Sequence, residues 1–106
     1  MTFQLGSALL EACVLAVLSG GDTYGYVLTQ SVKGKIEISE STLYPVMRRL
    51  QKGGYLETYD QPYQGRNRRY YHITEAGRQN LLEAREEWKL YKKKVDQILE
   101  EGTQNE

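Results

Sequence analysis

Basic and tyrosine side chains are concentrated in the middle of this 106-residue chain. Residues 41–72 carry six Arg or Lys side chains against two carboxylates, a balance of +4, whereas the segments on either side each have a net charge of −2. Six of the nine tyrosines lie in the same stretch. Because cations bind phosphates and hydroxyl groups donate to backbone oxygens, this combination is suited to a polyanion such as DNA.

The candidate contacts to such a polyanion form two clusters, with one further position ahead of them. One cluster lies on the polar face of a predicted helix, and the other lies at the turn of a predicted hairpin. Arginine is the commonest specific partner of guanine, and a tyrosine at a helix N-terminus can donate to a phosphate. The predicted DNA-binding residues are Tyr24, Ser41, Thr42, Tyr44, Pro45, Arg48, Arg49, Arg66, Asn67, Arg68 and Arg69.

Plainer interpretations of these residues stay open at this point. A short basic run in a turn is often only solvated, and Arg48 and Arg49 could pair with a nearby carboxylate such as Glu57. Asn67 suits a turn because it tolerates positive φ, and Tyr44 could be half-buried packing. The position of the basic run between two strands, together with the bases on the helix, favours the DNA interpretation.

No catalytic or metal-binding constellation is predicted. One His and one Cys cannot build a zinc cluster, and the glycines lie at the ends of predicted elements rather than in a phosphate-binding loop. Cys13 lies on an apolar helix with no activating base, so we expect a small core residue rather than a nucleophile. We therefore predict that the chain is not an enzyme and uses neither a metal nor a cofactor.

Chain length and cysteine content indicate the number of domains and the cellular compartment. A chain of 106 residues predicts one domain. A single cysteine excludes an internal disulfide and suits a reducing compartment, and the apolar stretch 9–18 is too short to cross a bilayer. We predict a cytoplasmic protein with no membrane partner.

Apolar periodicity predicts three short helices before the basic hairpin. The first is apolar over most of its circumference. The second runs from an Asp22 or Thr23 cap to about Lys33, and the third runs from a serine cap, Ser39 or Ser41, to about residue 52.

Alternating residues predict the strands. Residues 35–38 predict a brief strand, and residues 55–59 and 68–73 predict two longer ones joined by a turn-rich loop over 61–67. In the last strand, successive side chains point to opposite faces. Alternation assigns Tyr70 and His72 to one face, and to the other Arg69, Tyr71 and Ile73.

Two helices carry more apolar surface than the core of one small domain needs. A surface helix in a monomer needs one apolar face, but the first helix has two. The final helix, capped by Thr74 and running to about Glu100, has apolar residues every three or four positions. We therefore predict a homodimer in which these two helices interlock. The predicted interface comprises Leu9, Cys13, Leu81, Trp88, Tyr91, Val95 and Ile98.

The order of three short helices followed by a hairpin is that of a winged helix, whose third helix enters the major groove. The predicted fold class is α+β, mainly α, a winged helix-turn-helix with an additional long C-terminal dimerisation helix. We assign the DNA-binding domain to 1–74, the dimerisation helix to 75–101 and a frayed tail to 102–106.

Four motifs occur in a characteristic order and at compatible spacing. They are Tyr24-Gly25-Tyr26, Ser41-Thr42-Leu43-Tyr44-Pro45 with Arg49-Leu50, Gly65-Arg66-Asn67-Arg68-Arg69-Tyr70-Tyr71, and Ile73-Thr74-Glu75-Ala76-Gly77. Together they closely resemble the PadR family of bacterial transcriptional regulators, and the resemblance extends from Leu9 to about Leu99. The single C-terminal helix with a tryptophan is similar to the compact subfamily, which includes multidrug-sensing members.

The resemblance implies a homodimeric winged-helix repressor that binds a roughly palindromic operator and releases it when a small molecule binds. In some compact relatives a tryptophan in a position similar to Trp88 stacks on an aromatic effector. From the residues alone, Trp88 is equally a seam residue in a dimer core. Two other classes stay open: a winged-helix module that docks an acidic protein partner, and a ligand-binding dimer without operator binding.

Overall fold

The computed structural model describes residue 3 and residues 5–104, and its elements follow the predicted order except that one strand is added and the brief strand predicted over 35–38 is absent. The elements are α1 (Ser7–Ser19), β1 (Thr23–Tyr24), α2 (Gly25–Lys33), α3 (Glu40–Lys52), β2 (Leu56–Tyr63), β3 (Arg66–Ile73) and α4 (Glu75–Gln104). The three strands form one antiparallel sheet. The predicted fold class, a mainly helical winged helix with a long C-terminal helix, is confirmed.

The core lies between the first three helices and the base of the sheet. Leu15 of α1, Leu28 of α2 and Leu43 of α3 are fully buried because each helix turns its apolar face inward. Burial of one such side chain stabilises the fold by about 1.5–3 kcal/mol. The core residues are Leu10, Val14, Leu15, Leu18, Leu28, Val32, Leu43, Val46, Met47, Leu50, Leu56, Ile73 and Leu81.

α3 begins at the earlier of the two candidate serine caps. Ser39 is the N-cap residue, and its Oγ accepts a hydrogen bond from the backbone N–H of Thr42 at 3.3 Å. The alternative cap at Ser41, which would place Pro45 in the first turn, is not formed. Pro45 instead lies in the second turn, and its missing N–H removes the usual helical partner of the Ser41 carbonyl.

β1 is an element that the sequence analysis did not predict. Thr23 pairs with Tyr71 and Tyr24 pairs with Tyr70, which gives the strand order β1-β3-β2. Tyr24 is also the N-cap residue of α2, with no side-chain cap bond. The predicted cap at Asp22 or Thr23 is therefore wrong, because the pairing with β3 holds this segment as an edge strand.

The β2–β3 hairpin is longer than predicted. Every residue of β2 pairs with one of β3, so most of the predicted loop over 61–67 is strand. The turn consists of Gln64 and Gly65 alone, with φ values of 50° and 77°. A two-residue turn with positive φ at both positions matches the twist of the flanking strands, which allows them to pair up to the tip.

The predicted brief strand over 35–38 is absent, and the segment instead connects α2 to α3 without regular structure. Ile36 and Ile38 are half-buried and pack against the core. Burial of alternate residues in an irregular connection therefore accounts for the alternating pattern that suggested a strand.

The first turn of α4 anchors the helix to the rest of the fold. Thr74 Oγ1 accepts a hydrogen bond from the Gly77 N–H at 3.1 Å and donates to the Gly54 carbonyl at 2.7 Å. The predicted cap at Thr74 is confirmed. Gly77 is buried against the backbone of Tyr55, where any Cβ would collide with the carbonyl oxygen, so this close approach requires glycine.

Beyond these turns α4 extends away from the core, so that the whole molecule, α4 included, measures 65 × 30 × 21 Å. Leu81 is the last buried side chain up to residue 101, and residues 85–101 are all exposed. The helix also includes residues 102–104, which were predicted to belong to a frayed tail. The remainder of that predicted tail, residues 105–106, lies outside the described residues.

Candidate nucleic-acid interface

The N-terminal turn of α3 presents exposed hydroxyl groups. Ser41 Oγ lies 3.0 Å from Ser39 Oγ, and Thr42 Oγ1 lies 2.9 Å from the same oxygen. Ser41 and Thr42 are exposed, whereas Pro45 behind them is half-buried. The hydroxyls therefore form one polar group at the positive end of the helix dipole, where negative charge is stabilised.

The two arginines of α3 are both exposed but differ in their partners. Arg49 Nε lies 3.4 Å from Glu11 Oε2 on α1, so the pairing with Glu57 considered from the sequence is not formed. An exposed pair of this kind contributes at most about 1 kcal/mol and is readily exchanged. Within residues 3 and 5–104, Arg48 has no carboxylate oxygen within 4.0 Å. The positive charge of Arg48 is therefore available to a ligand.

Tyr44 connects α3 to the sheet. Its ring and that of Tyr71 both lie beside Gly25, where an added Cβ would be 3.9 Å and 3.6 Å from them. Burial raises the pKa of Tyr71, and the charges of Arg69 and Arg48 act in the opposite direction. Arg48 follows Tyr44 by one turn of α3, and Arg69 precedes Tyr71 by two residues on the same face of β3.

The hairpin turns its basic residues to opposite faces of the sheet. Arg69 lies on the face directed toward α3, and its Nε is 3.6 Å from Asp60 Oδ1 on the neighbouring strand. Arg66 and Asn67, next to the turn, are exposed. Arg68 lies on the opposite face and is half-buried. Of the predicted contact residues of the hairpin, Arg68 is therefore partly covered, whereas the other three are exposed to solvent.

Aromatic rings and Arg68 form a connected group on that opposite face, here termed the outer-face cluster. Arg68 Cζ is 3.9 Å from the centroid of the Tyr24 ring and 3.6 Å from that of Tyr63. Tyr70 lies edge-on to Tyr24 at 5.7 Å and stacks on Tyr59 at 5.5 Å. Desolvation lowers the pKa of Arg68, but a hydrogen bond with Tyr70 and the other tyrosines raise that pKa above its ordinary value. The cluster comprises Asp22, Tyr24, Tyr59, Tyr63, Arg68, Tyr70 and His72.

Asp22 lies at the base of the outer-face cluster. Its Oδ2 accepts a hydrogen bond from the Tyr59 hydroxyl at 2.7 Å, and its Oδ1 is 2.7 Å from His72 Nδ1. The bonds to His72 and Tyr59 hold the pKa of Asp22 below its ordinary value, against a smaller effect of burial. The bond to Asp22 raises the pKa of Tyr59. The carboxylate thus joins the loop before β1 to both strands of the hairpin.

Sequence reasoning separated the two faces of β3 correctly but did not find this cluster. The alternation of Tyr70 and His72 was the available signal, and the register confirms it. No sequence pattern indicated that β1 pairs with β3. This pairing places Tyr24 on the same face of the sheet as Arg68. The cluster members that the sequence analysis did not identify as interacting residues are Asp22, Tyr59, Tyr63, Tyr70 and His72.

A groove of about 600 Å³ lies between α1 and α4. Leu9 lines it from α1, and Trp88 and Tyr91 line it from α4, with their ring centroids 6.4 Å apart. Glu87 and Lys94 add one carboxylate and one ammonium group to the lining. The groove therefore offers apolar and aromatic surface together with charges of both signs.

The predicted dimer residues of α4 fall into two groups. Trp88, Tyr91, Val95 and Ile98 are 39%, 63%, 36% and 67% exposed in the single chain. Leu81 is only 3% exposed and belongs to the core of its own chain, so its assignment to the interface is corrected. Leu81 differs from the other four because it precedes the point at which α4 leaves the body of the molecule.

Cys13 is half-buried on α1, and burial raises the pKa of its thiol. The thiolate form is therefore disfavoured, in agreement with a packing role rather than a nucleophilic one. In the described part of the chain, no His, Cys, Asp and Glu residues form a group that could hold a metal ion. The helices described there also include none that is long and apolar enough to span a membrane.

The same arrangement of elements occurs in a known protein family. The model of the "Transcriptional regulator PadR-like family" matches residues 14–83. The match includes α3, the hairpin and the first turns of α4, which together carry most of the predicted contact residues. Members of this family are transcriptional regulators and not enzymes, which confirms the predicted class.

Individual relatives match most of the chain. A transcriptional regulator of Mycobacterium tuberculosis is 36% identical over 84 residues, which covers 78% of this chain and 77% of that protein. A Streptococcus mutans protein of known crystal structure is 44% identical, with a TM-score of 0.84 and 94% of each chain covered. A PadR family transcription regulator of Clostridium difficile is 27% identical, with a TM-score of 0.78 and coverage of 85% of this chain and 97% of that one.

Proposed function

The chain belongs to the PadR-like family of transcriptional regulators, and we propose that it acts in the cytoplasm as a homodimer that binds a duplex operator and represses transcription. The observation that carries this proposal is that the rings of Tyr44 on α3 and Tyr71 on β3 lie beside the same residue, Gly25. Arg48 follows Tyr44 by one helical turn, Arg69 shares a strand face with Tyr71, and both arginines are exposed. Positive charge from two separate elements on one surface suits a polyanionic ligand.

In this proposal α3 enters the major groove. Arg48 reaches a base edge, where its planar guanidinium suits a guanine, and Arg49 exchanges its exposed partner Glu11 for a phosphate. Arg66, Asn67 and Arg69 hold the flanking backbone, which positions the protein without reading sequence. The proposed contacts from α3 are Ser41, Thr42, Tyr44, Pro45, Arg48 and Arg49.

A second copy of the chain covers the exposed face of α4. Trp88, Tyr91, Val95 and Ile98 form an apolar stripe along a helix that has left the body of its own chain. Soluble monomers rarely expose such continuous apolar surface. Pairing this stripe with its symmetry mate and with α1, through Leu9 and Cys13, places the two α3 helices at half-sites roughly 34 Å apart on a roughly palindromic operator.

The groove between α1 and α4 is the proposed effector site. Its volume of about 600 Å³ is in the range of small-molecule pockets, and Trp88 with Tyr91 provides ring surface for a planar aromatic compound. The groove shares Leu9, Trp88 and Tyr91 with the proposed dimer surface, so a pocket formed between symmetry-related helices would use the same side chains. An effector that binds the operator-free arrangement more tightly than the bound one shifts the population toward release.

The decisive experiment is fluorescence anisotropy of a labelled duplex from the protein's own promoter region, with unrelated duplex as competitor and salt varied. We expect binding at two subunits per site that survives the competitor and weakens steeply with salt. Arg48→Ala should weaken operator binding about tenfold or more by removing a base contact. Arg85→Ala, which removes an exposed cation of α4, is the matched control and should leave affinity unchanged.

Weak binding that is equal for both duplexes would contradict the repressor proposal and favour an acidic protein as the partner. The third class, a ligand-binding dimer without operator binding, is tested by titrating aromatic compounds against the fluorescence of the single tryptophan. Quenching of Trp88 by aromatic compounds, in a protein that binds no duplex, would favour a ligand-binding dimer without operator binding.

A further inference from the structure

The tip of the β2–β3 hairpin extends past the third strand of the sheet. β1 ends at Tyr24, which pairs with Tyr70, so residues 60–69 form a ribbon of only two strands. An isolated two-stranded hairpin is at best marginally stable in water. Any order in this ribbon therefore needs side-chain contacts that connect it to the rest of the sheet.

Arg68 makes that connection. Its guanidinium lies between two rings, Tyr24 on the third strand and Tyr63 at the end of β2 next to the turn, at 3.9 Å and 3.6 Å from their centroids. Tyr24 in turn contacts Tyr70, and Tyr70 stacks on Tyr59, so the contacts continue to the base of the hairpin. Cation–π contacts of a half-desolvated arginine are stronger than those of a fully exposed one.

We propose that Arg68 is a positioning residue that orders the tip of the hairpin through Tyr24 and Tyr63, and that it does not neutralise a phosphate. This inference rests on the proposed DNA binding and revises the contact predicted for Arg68 and Tyr24. Its exposed neighbours Arg66 and Arg69 are the phosphate-binding cations of the hairpin, and Arg68 holds them at a defined distance from α3.

The first measurement is hydrogen exchange of the DNA-free protein, which does not depend on DNA binding. Arg68→Gln should accelerate exchange of the amides in residues 60–69 on the order of tenfold, because both ring contacts are lost. Arg66 pairs with Tyr63 across the hairpin, but within the described residues it makes no cation–π contact with Tyr24 or Tyr63. The matched control Arg66→Gln therefore removes the same charge without a ring contact and should leave these amides unchanged. Tyr63→Leu should reproduce the effect of Arg68→Gln, whereas Tyr63→Phe, which keeps the ring, should not.

The second measurement is the salt dependence of operator binding. Arg66→Gln should reduce the slope of log affinity against log salt by about 0.9, the value for one lost phosphate contact. Arg68→Gln should lower affinity without changing that slope. Unchanged exchange in Arg68→Gln would overturn the proposal, as would a slope reduced by about one. If the wild-type protein binds no duplex, the repressor proposal fails, and the exchange data still decide whether Arg68 orders the hairpin.

Discussion

Apolar side chains have opposite surroundings in two regions of the chain, the winged-helix unit from α1 to β3 and the distal part of α4 over residues 85–101. In the first, core residues such as Leu15 and Leu43 are fully buried by neighbours from the same chain. In the second, Tyr91 and Ile98 are 63% and 67% exposed. The winged-helix unit buries its core side chains within its own chain. The apolar stripe of the distal part of α4 can be buried only against another surface.

The residues that stabilise the fold of the single chain are therefore different from those of the proposed dimer interface. A helix gains most of its stability from packing of an apolar face rather than from propensity. Leu81 is the last buried side chain of α4 up to residue 101, and beyond it Trp88 and Tyr91 only line an open groove against α1. Changes in the core should therefore act on unfolding at any protein concentration, and changes in the distal part of α4 should act on association.

The largest expected effect is that of truncation in the core. Leu15→Ala should lower the free energy of unfolding by about 2–5 kcal/mol, because it leaves a cavity in a fully buried site. Urea titration at several protein concentrations checks this loss, which should be the same at each. Ile98→Ala is the comparison variant, and a concentration-independent loss of similar size there would contradict the distinction between the two regions.

The next effect concerns association. Ile98→Glu places a carboxylate in the proposed interface of both subunits and should raise the dimer dissociation constant about a hundredfold, since two charges are desolvated. Sedimentation over a range of concentrations measures it. Lys93→Glu changes an exposed residue on the opposite side of the same helix and is the control. Equal association of wild-type protein and Ile98→Glu would show that the α4 stripe is not the interface.

A smaller effect is expected where the two regions join. Alanine is a better helix former than glycine, yet Gly77→Ala should cost about 1–3 kcal/mol because its Cβ would collide with the Tyr55 carbonyl oxygen. Thermal unfolding compared with Gln79→Ala, an exposed position of the same helix, provides the measurement. A stabilised Gly77→Ala protein would mean that α4 does not lie this close to the sheet.

The smallest effect depends on pH. Asp22→Asn should cost about 1 kcal/mol or less at pH 7, because the hydrogen bonds to His72 and Tyr59 are exposed to solvent. The folded-state pKa of Asp22 is lowered, so its contribution is present above the ordinary value of 3.8 and is lost as pH falls from there through the folded value. Unfolding curves from pH 7 to pH 3 should therefore converge for the two proteins.

Glu83→Gln removes an exposed carboxylate of α4 and provides the control for this pH series. Its difference from the wild-type protein should be small at every pH. A gap between wild-type protein and Asp22→Asn that stays constant down to pH 3 would contradict the role of the ionised Asp22 carboxylate.

The four helices of the described residues could all be predicted from the sequence, because the period of apolar residues is a local property. The inward face of α3, the alternation of Arg69 and Tyr70, and the cap at Thr74 all follow from residues within one or two turns or strand steps. β1 could not be found in this way. A strand of two residues is too short to show an alternating pattern in the sequence. Thr23 is a strand residue only because Tyr71 pairs with it.

The candidate interface was predicted as a set of residues but not as a geometry. The sequence alone determined the basic middle segment, the winged order of elements and the excess apolar surface of α4, since each depends on composition or local spacing. Three further facts emerge only from the folded chain: Leu81 belongs to the core, Arg49 pairs with Glu11, and Arg68 contacts two tyrosine rings. Those three facts depend on strand register and helix packing between distant residues, which no local pattern encodes.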